Sequence, residues 1–165
     1  MKAHFEMMAA YNAWANRRLY AAALNLSEDD FRANLGAFFG SVMGTLNHIM
    51  VADLIWLARF REQRQPPFGL DHILHEDGEE LAAARKVLDD DIIGYVAGQS
   101  DQNLFDDFTY TMITTDQTVT QPRAPALTHF FNHQTHHRGQ VHAMLTRVTK
   151  DAPALDLIYY QREAS

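Results

Sequence analysis

Asn132-His133-Gln134-Thr135-His136-His137-Arg138-Gly139-Gln140 sets imidazoles four residues apart inside a segment whose apolar spacing predicts a long helix. In a helix, positions i and i+4 lie one above the other on the same face. Two neutral imidazoles held that way can grip one divalent metal ion, the geometry that H-x-x-x-H motifs use. A third imidazole, His48, stands in a separate apolar segment. Three histidine ligands leave coordination positions open, so an accessible metal is expected rather than a closed structural one. The plainer reading of any one of them is a hydrogen-bonded core residue. Two imidazoles in one core need more than that: charged rings repel, neutral rings need polar partners, and a bound cation satisfies both conditions.

Spacing alone does not choose the ligands. His129 and His133 form a second i, i+4 pair, and His136 lies only about 60° round the helix from His133. His142 points to the opposite face and reads as a surface or packing residue. His4, His72 and His75 read as solvated.

Working outward, four helices are expected. The first runs from about His4 to Leu24, with Phe5, Met8, Asn12, Ala15, Asn16 and Leu19 on one face. Two asparagines on that stripe need buried partners. Met7, Tyr11 and Trp14 form a second flank, which suggests a second neighbour such as another subunit. Ser27-Glu28-Asp29-Asp30 resembles a capping box opening a short helical turn. The second helix runs from about Ser41 to Phe60 and is apolar nearly all round. His48 shares its face with Gly44, Ala52, Ile55 and Arg59, and the small residues at i−4 and i+4 leave room round its ring. Pro66-Pro67 break the chain into a loop. The third helix is expected from about Asp77 to Gln99. From Leu104 to Gln121 the period changes to two, and Phe108–Met112 and Thr118–Thr120 around Asp116-Gln117 predict a β-hairpin. The fourth helix opens near Pro125 and continues to about Thr149. Asp156 to Glu163 reads as a short packing tail. The expected fold is all-α: one four-helix-bundle domain over residues 1–165 with a small β-hairpin before the last long helix.

The 165 residues are 47% hydrophobic and 21% charged, ordinary globular usage. A formal net charge of −7, with its arginines scattered, argues against nucleic-acid binding. No apolar run is long enough for a membrane span and no secretion signal is visible, so a cytoplasmic protein is expected. There is no cysteine. Disulfides, thiolate ligands and a protein-borne sulfur nucleophile are excluded together, and thiol chemistry would need a thiol substrate.

Tyr11-Asn12-Ala13-Trp14-Ala15-Asn16, Gly44-Thr45-Leu46-Asn47-His48, Ala52-Asp53-Leu54-Ile55-Trp56-Leu57 and the His133–Gln140 stretch together resemble the DinB-like family. Their order and separations match from residue 1 to about 160, including the threonine-rich hairpin. The resemblance implies an up-down-down-up bundle, commonly a homodimer. It also implies a metal triad of one histidine on the second helix and an H-x-x-x-H pair on the fourth. By matching motif these are His48, His133 and His137, holding a metal such as zinc or nickel. On this basis His137 is favoured over His136, and His129 stays outside the ligand set.

Metal-bound imidazoles donate their second N–H to a polar partner. Asn12, Asn16 and Gln140 face the same core and are the candidates. Asp53 and Arg138 are expected to pair across the bundle, and Trp14 and Trp56 to serve packing or a dimer contact. Three functions are compatible with this reading. The leading one is a metal-dependent transferase using a low-molecular-weight thiol, a use known from thiol-dependent relatives in the wider superfamily. A metal-dependent hydrolase is the second, weakened because no carboxylate shares a face with the histidines. A non-enzymatic, stress-related metal- or ligand-binding dimer is the third.

Overall fold

Helix formation follows the caps. Ser41 accepts a hydrogen bond from the Gly44 amide at 2.9 Å and so starts the helix that carries His48. Asp77 and Ser100 cap the next two helices in the same way. The computed structural model describes residues 1–113, 115 and 117–164. Its elements are α1 (Lys2–Ala23), α2 (Glu28–Arg32), α3 (Val42–Phe60), α4 (Gly78–Ala97), α5 (Asp101–Phe105), β1 (Asp107–Thr111), β2 (Thr118–Pro122), α6 (Arg123–Thr149) and α7 (Leu157–Glu163). The four long helices are those expected, each within a few residues. Pro125 is not the first residue of α6 but its third, because Pro122 already supplies the cap position; the first turn still has no use for its missing N–H.

Side-chain pairs fix the helix directions. Phe5 meets Phe131 and Asn12 meets Arg138, so α1 and α6 run parallel. His48 meets His137 while Phe60 meets Phe130, which makes α3 antiparallel to α6. Arg85 reaches Asp53 and Tyr95 stacks on Phe60, so α4 runs parallel to α3. The order is up-down-down-up. Two consecutive parallel helices require the chain to travel back the length of the bundle between them. Residues 61–77 make that return along α3, a course with consequences for the site below.

The β-hairpin pairs Asp107 with Pro122 and Thr111 with Thr118 in antiparallel register. Of the turn expected at Asp116-Gln117, Asp116 lies outside the described residues. Phe108 turns inward against Phe60, which anchors the hairpin to the α3 end of the core. The second flank of α1 does have a neighbour, but within this chain. Trp14 donates to Glu163 at 2.7 Å, the Tyr11 hydroxyl donates to the Leu155 carbonyl, and Tyr160 contacts both rings. Of the packing and dimer roles expected for Trp14, docking of the C-terminal tail supplies the packing one.

Midway along the bundle lies a closed ring of buried polar side chains from all four long helices. Arg85 donates to Asp53 at 2.5 Å, and its second terminal nitrogen stands 2.8 Å from Asp89. Asn12 and Asn16 donate to Asp89 at 3.0 and 2.9 Å. Arg138 donates to the side-chain carbonyls of Asn12, Asn16 and Gln134, and Gln134 closes the ring by donating to Asp53 at 2.7 Å. The expected Asp53–Arg138 pair does not form. Arg85 takes the carboxylate instead, because α4 presents it from the adjacent parallel helix, and Gln134 stands between Asp53 and Arg138. Two carboxylates and two guanidiniums cancel, so the ring buries no net charge.

Candidate metal centre

His48 is nearly inaccessible on α3, and His133 and His137 project toward it from α6. The His48 Nε2 stands 3.3 Å from His133 Nε2 and 3.2 Å from His137 Nε2. All three ligand atoms lie within 4.8 Å of one another. A divalent ion with bonds of roughly 2.0–2.1 Å and near-tetrahedral angles would set such nitrogens about 3.3 Å apart.

Tautomers explain why a cation fits. The Leu70 carbonyl can only accept, so at 2.8 Å it fixes the His48 proton on Nδ1 and leaves a lone pair on Nε2. His137 Nδ1 lies 2.9 Å from Gln140 Oε1, which favours the same tautomer there. Two lone pairs then face each other at 3.2 Å. Protonation is the other remedy, and the surroundings oppose it. Burial, only partly offset by the Leu70 carbonyl and assisted by His137, pushes His48 down to about 4. Burial and the neighbouring imidazoles push His133 down to about 3. Burial also lowers His137, against the Gln140 hydrogen bond. Near neutral pH the site is three unprotonated imidazoles converging on one point, which suits a divalent cation.

Local structure supplies each support. Leu70 belongs to the returning crossover, and Asn47, next to His48, pins that segment. The Asn47 side chain donates to the His75 carbonyl at 2.9 Å and accepts from the Leu74 and His75 amides. Phe39 stacks on the His48 ring, with centroids 3.7 Å apart. The chain reaches that position only because residue 44 is glycine: a Cβ there would stand 2.3 Å from the Phe39 carbonyl oxygen.

A cavity of about 230 Å³ opens on His48 and His133. Its walls include Ala52, Ile55, Trp56 and Tyr110, with Arg59 at the far end, and no carboxylate lines it among the described residues. His129 lines the same cavity beside Trp56 but is not in the convergent group. His136 contacts Gln140 and stays exposed. Gln140 thus touches the cluster, whereas Asn12 and Asn16 bond Asp89 and Arg138 in the polar ring. Leu70, Asn47 and Phe39 were not anticipated. Asn47 carried a signal, a polar side chain beside His48 on an otherwise apolar helix, but a backbone carbonyl such as that of Leu70 leaves none in sequence.

A helical bundle with an open three-histidine cluster defines a class of proteins able to bind a metal in reach of small molecules. The DinB family model matches residues 1–164, and the chain belongs to the DinB family. No curated protein matches it. Among the described residues no helix is long and apolar enough to cross a membrane.

Proposed function

We propose that this protein is a metal-dependent enzyme, acting as a transferase on a low-molecular-weight thiol, with zinc or nickel held by His48, His133 and His137. The observation that carries the reading is the convergence of three imidazole Nε2 atoms on one point beside a cavity that no carboxylate lines among the described residues. When bound, such an ion would supply Lewis acidity that lowers the pKa of a thiol, so that its proton is lost to solvent near neutral pH. Leu70 and Gln140 orient two of the rings, Asn47 holds the Leu70 segment, and the apolar walls exclude water. Hydrolysis asks more of the protein: a side chain that takes a proton from water and passes it to the leaving group. Among the described residues no carboxylate lines the cavity, which favours the thiol. A homodimer is the setting the family resemblance implies.

Elemental analysis of untagged protein, then thiol titration of the cobalt-substituted form, tests this. About one metal per chain and a sulfur-to-cobalt charge-transfer band with one thiol are expected. Metal without any spectral response to thiols would transfer the proposal to hydrolysis or passive binding. No metal after reconstitution would make the histidines structural.

A further inference from the structure

Arg59 lies eleven residues after His48 on the same face of α3, at the opposite end of the cavity that the histidines floor. Its guanidinium is held between two rings, 4.7 Å from the Trp56 centroid and 4.6 Å from that of Tyr110. Nε donates to Gln65 at 2.9 Å, which fixes the plane. The terminal nitrogens take no hydrogen bond and no carboxylate among the described residues. Other arginines drawn into the fold are provided for: Arg85 has Asp53 and Asp89, and Arg123 has Glu62. Of these three, Arg59 is the one gripped between two aromatic faces and left with its fork free among the described residues. Half-burial has removed part of its water, and burial depresses its pKa.

We infer that Arg59 is the anion-binding end of a two-ended ligand site, and that the ligand is a short organic acid whose carboxylate meets Arg59 while its other end reaches the histidine cluster. This rests on the metal reading for the second end only. A planar guanidinium with both terminal nitrogens free matches a carboxylate bidentately. The lining between the ends is mainly apolar, from Ala52, Ile55, Met112 and Ile113 with His129 beside Trp56, which suits a hydrocarbon spacer. Eleven residues set the two Cα atoms about 16 Å apart. A helical arginine leans back toward the N-terminus, here toward His48, which leaves a gap on the order of 10 Å. A six-carbon diacid spans that gap. The cavity, about 230 Å³, is below the roughly 300–1,000 Å³ of drug-sized sites, so the ligand is small.

Calorimetric titration with adipate and with its diamide, on zinc-loaded and metal-free protein, tests the assignment. In both forms adipate is expected to bind at least tenfold tighter than the diamide. Arg59→Gln abolishes that preference, while Arg59→Lys, which keeps charge but not the fork, retains part of it. Unchanged zinc stoichiometry and melting temperature in Arg59→Gln would show an intact fold and site. Equal adipate affinity in wild type and Arg59→Gln would overturn the inference, as would no adipate binding to either form at millimolar concentration. Failure to take up zinc would instead sink the metal reading, since the Arg59 dependence is also read in metal-free protein.

Discussion

Two polar clusters are buried in this bundle, and they are built on opposite plans. The ring of Asp53, Arg85, Asp89, Asn12, Asn16, Arg138 and Gln134 ties every one of its side chains to a partner, with Arg85 Nε left over, and cancels its charge. The cluster of His48, His133 and His137 turns three Nε2 atoms toward one another, and the tautomers of His48 and His137 make two of them facing acceptors. A closed network is all but complete in the folded chain and has little left to offer a ligand. A set of convergent lone pairs is incomplete by construction, and that incompleteness is what a binding site consists of.

The sharpest way to break the contrast is to open the ring. Asp53→Ala leaves the Arg85 charge buried and short of a partner, and should cost about 3–5 kcal/mol. Urea denaturation would measure it, and the variant should still bind one metal per chain well below its melting temperature. The histidines should behave the other way round. His48→Ala, His133→Ala or His137→Ala should each weaken metal binding at least 100-fold, whereas metal-free stability changes by less than about 1 kcal/mol, since relieved lone-pair repulsion offsets lost packing. His142→Ala and His129→Ala should leave affinity unchanged in a competition titration with a chelator; equal losses in all five would refute the assignment.

A smaller effect is expected at Gln140. Its replacement by Ala frees the His137 ring and should lower metal affinity about 10- to 100-fold. The smallest concerns pH. Ordinary histidines lose metal affinity as pH falls through about 6.5. Here burial holds His48 at about 4 and His133 at about 3 and also lowers His137, so the fall in affinity should be displaced below pH 6.5 and steepen toward 4. The same depression has a definite sign for stability. The unfolded chain takes up protons first, so the metal-free protein should lose stability as pH falls below about 6.5. Affinity that halves or worse between pH 7 and 6 would contradict this microenvironment.

The four long helices were legible because each has an apolar stripe, a cap or a breaker at its ends. The hairpin was legible from its alternation and threonines. The H-x-x-x-H pair was visible as a spacing, but its choice over His129 and His136 came from resemblance, since i, i+4 geometry serves all of them. The ring was half visible: Asn12 and Asn16 demanded partners, yet periodicity does not show that α4 lies parallel to α3, which only the resemblance implied, and neither says that Arg85 reaches Asp53. Relative helix direction depends on the course of residues 61–77, which have no periodicity to read. The same segment brings Leu70 to His48, so the missing knowledge of the fold and of the site was one piece of information.

Phe39 lies flat against one face of His48 and meets the edge of His137, while the cavity reaches the cluster from the side of Ile55 and Trp56. On the function proposed above, molecules that come in along this side would meet the histidines with Phe39 behind them and would sit in file. The inner one would then arrive first and leave last, a compulsory order of binding that two-substrate kinetics would show.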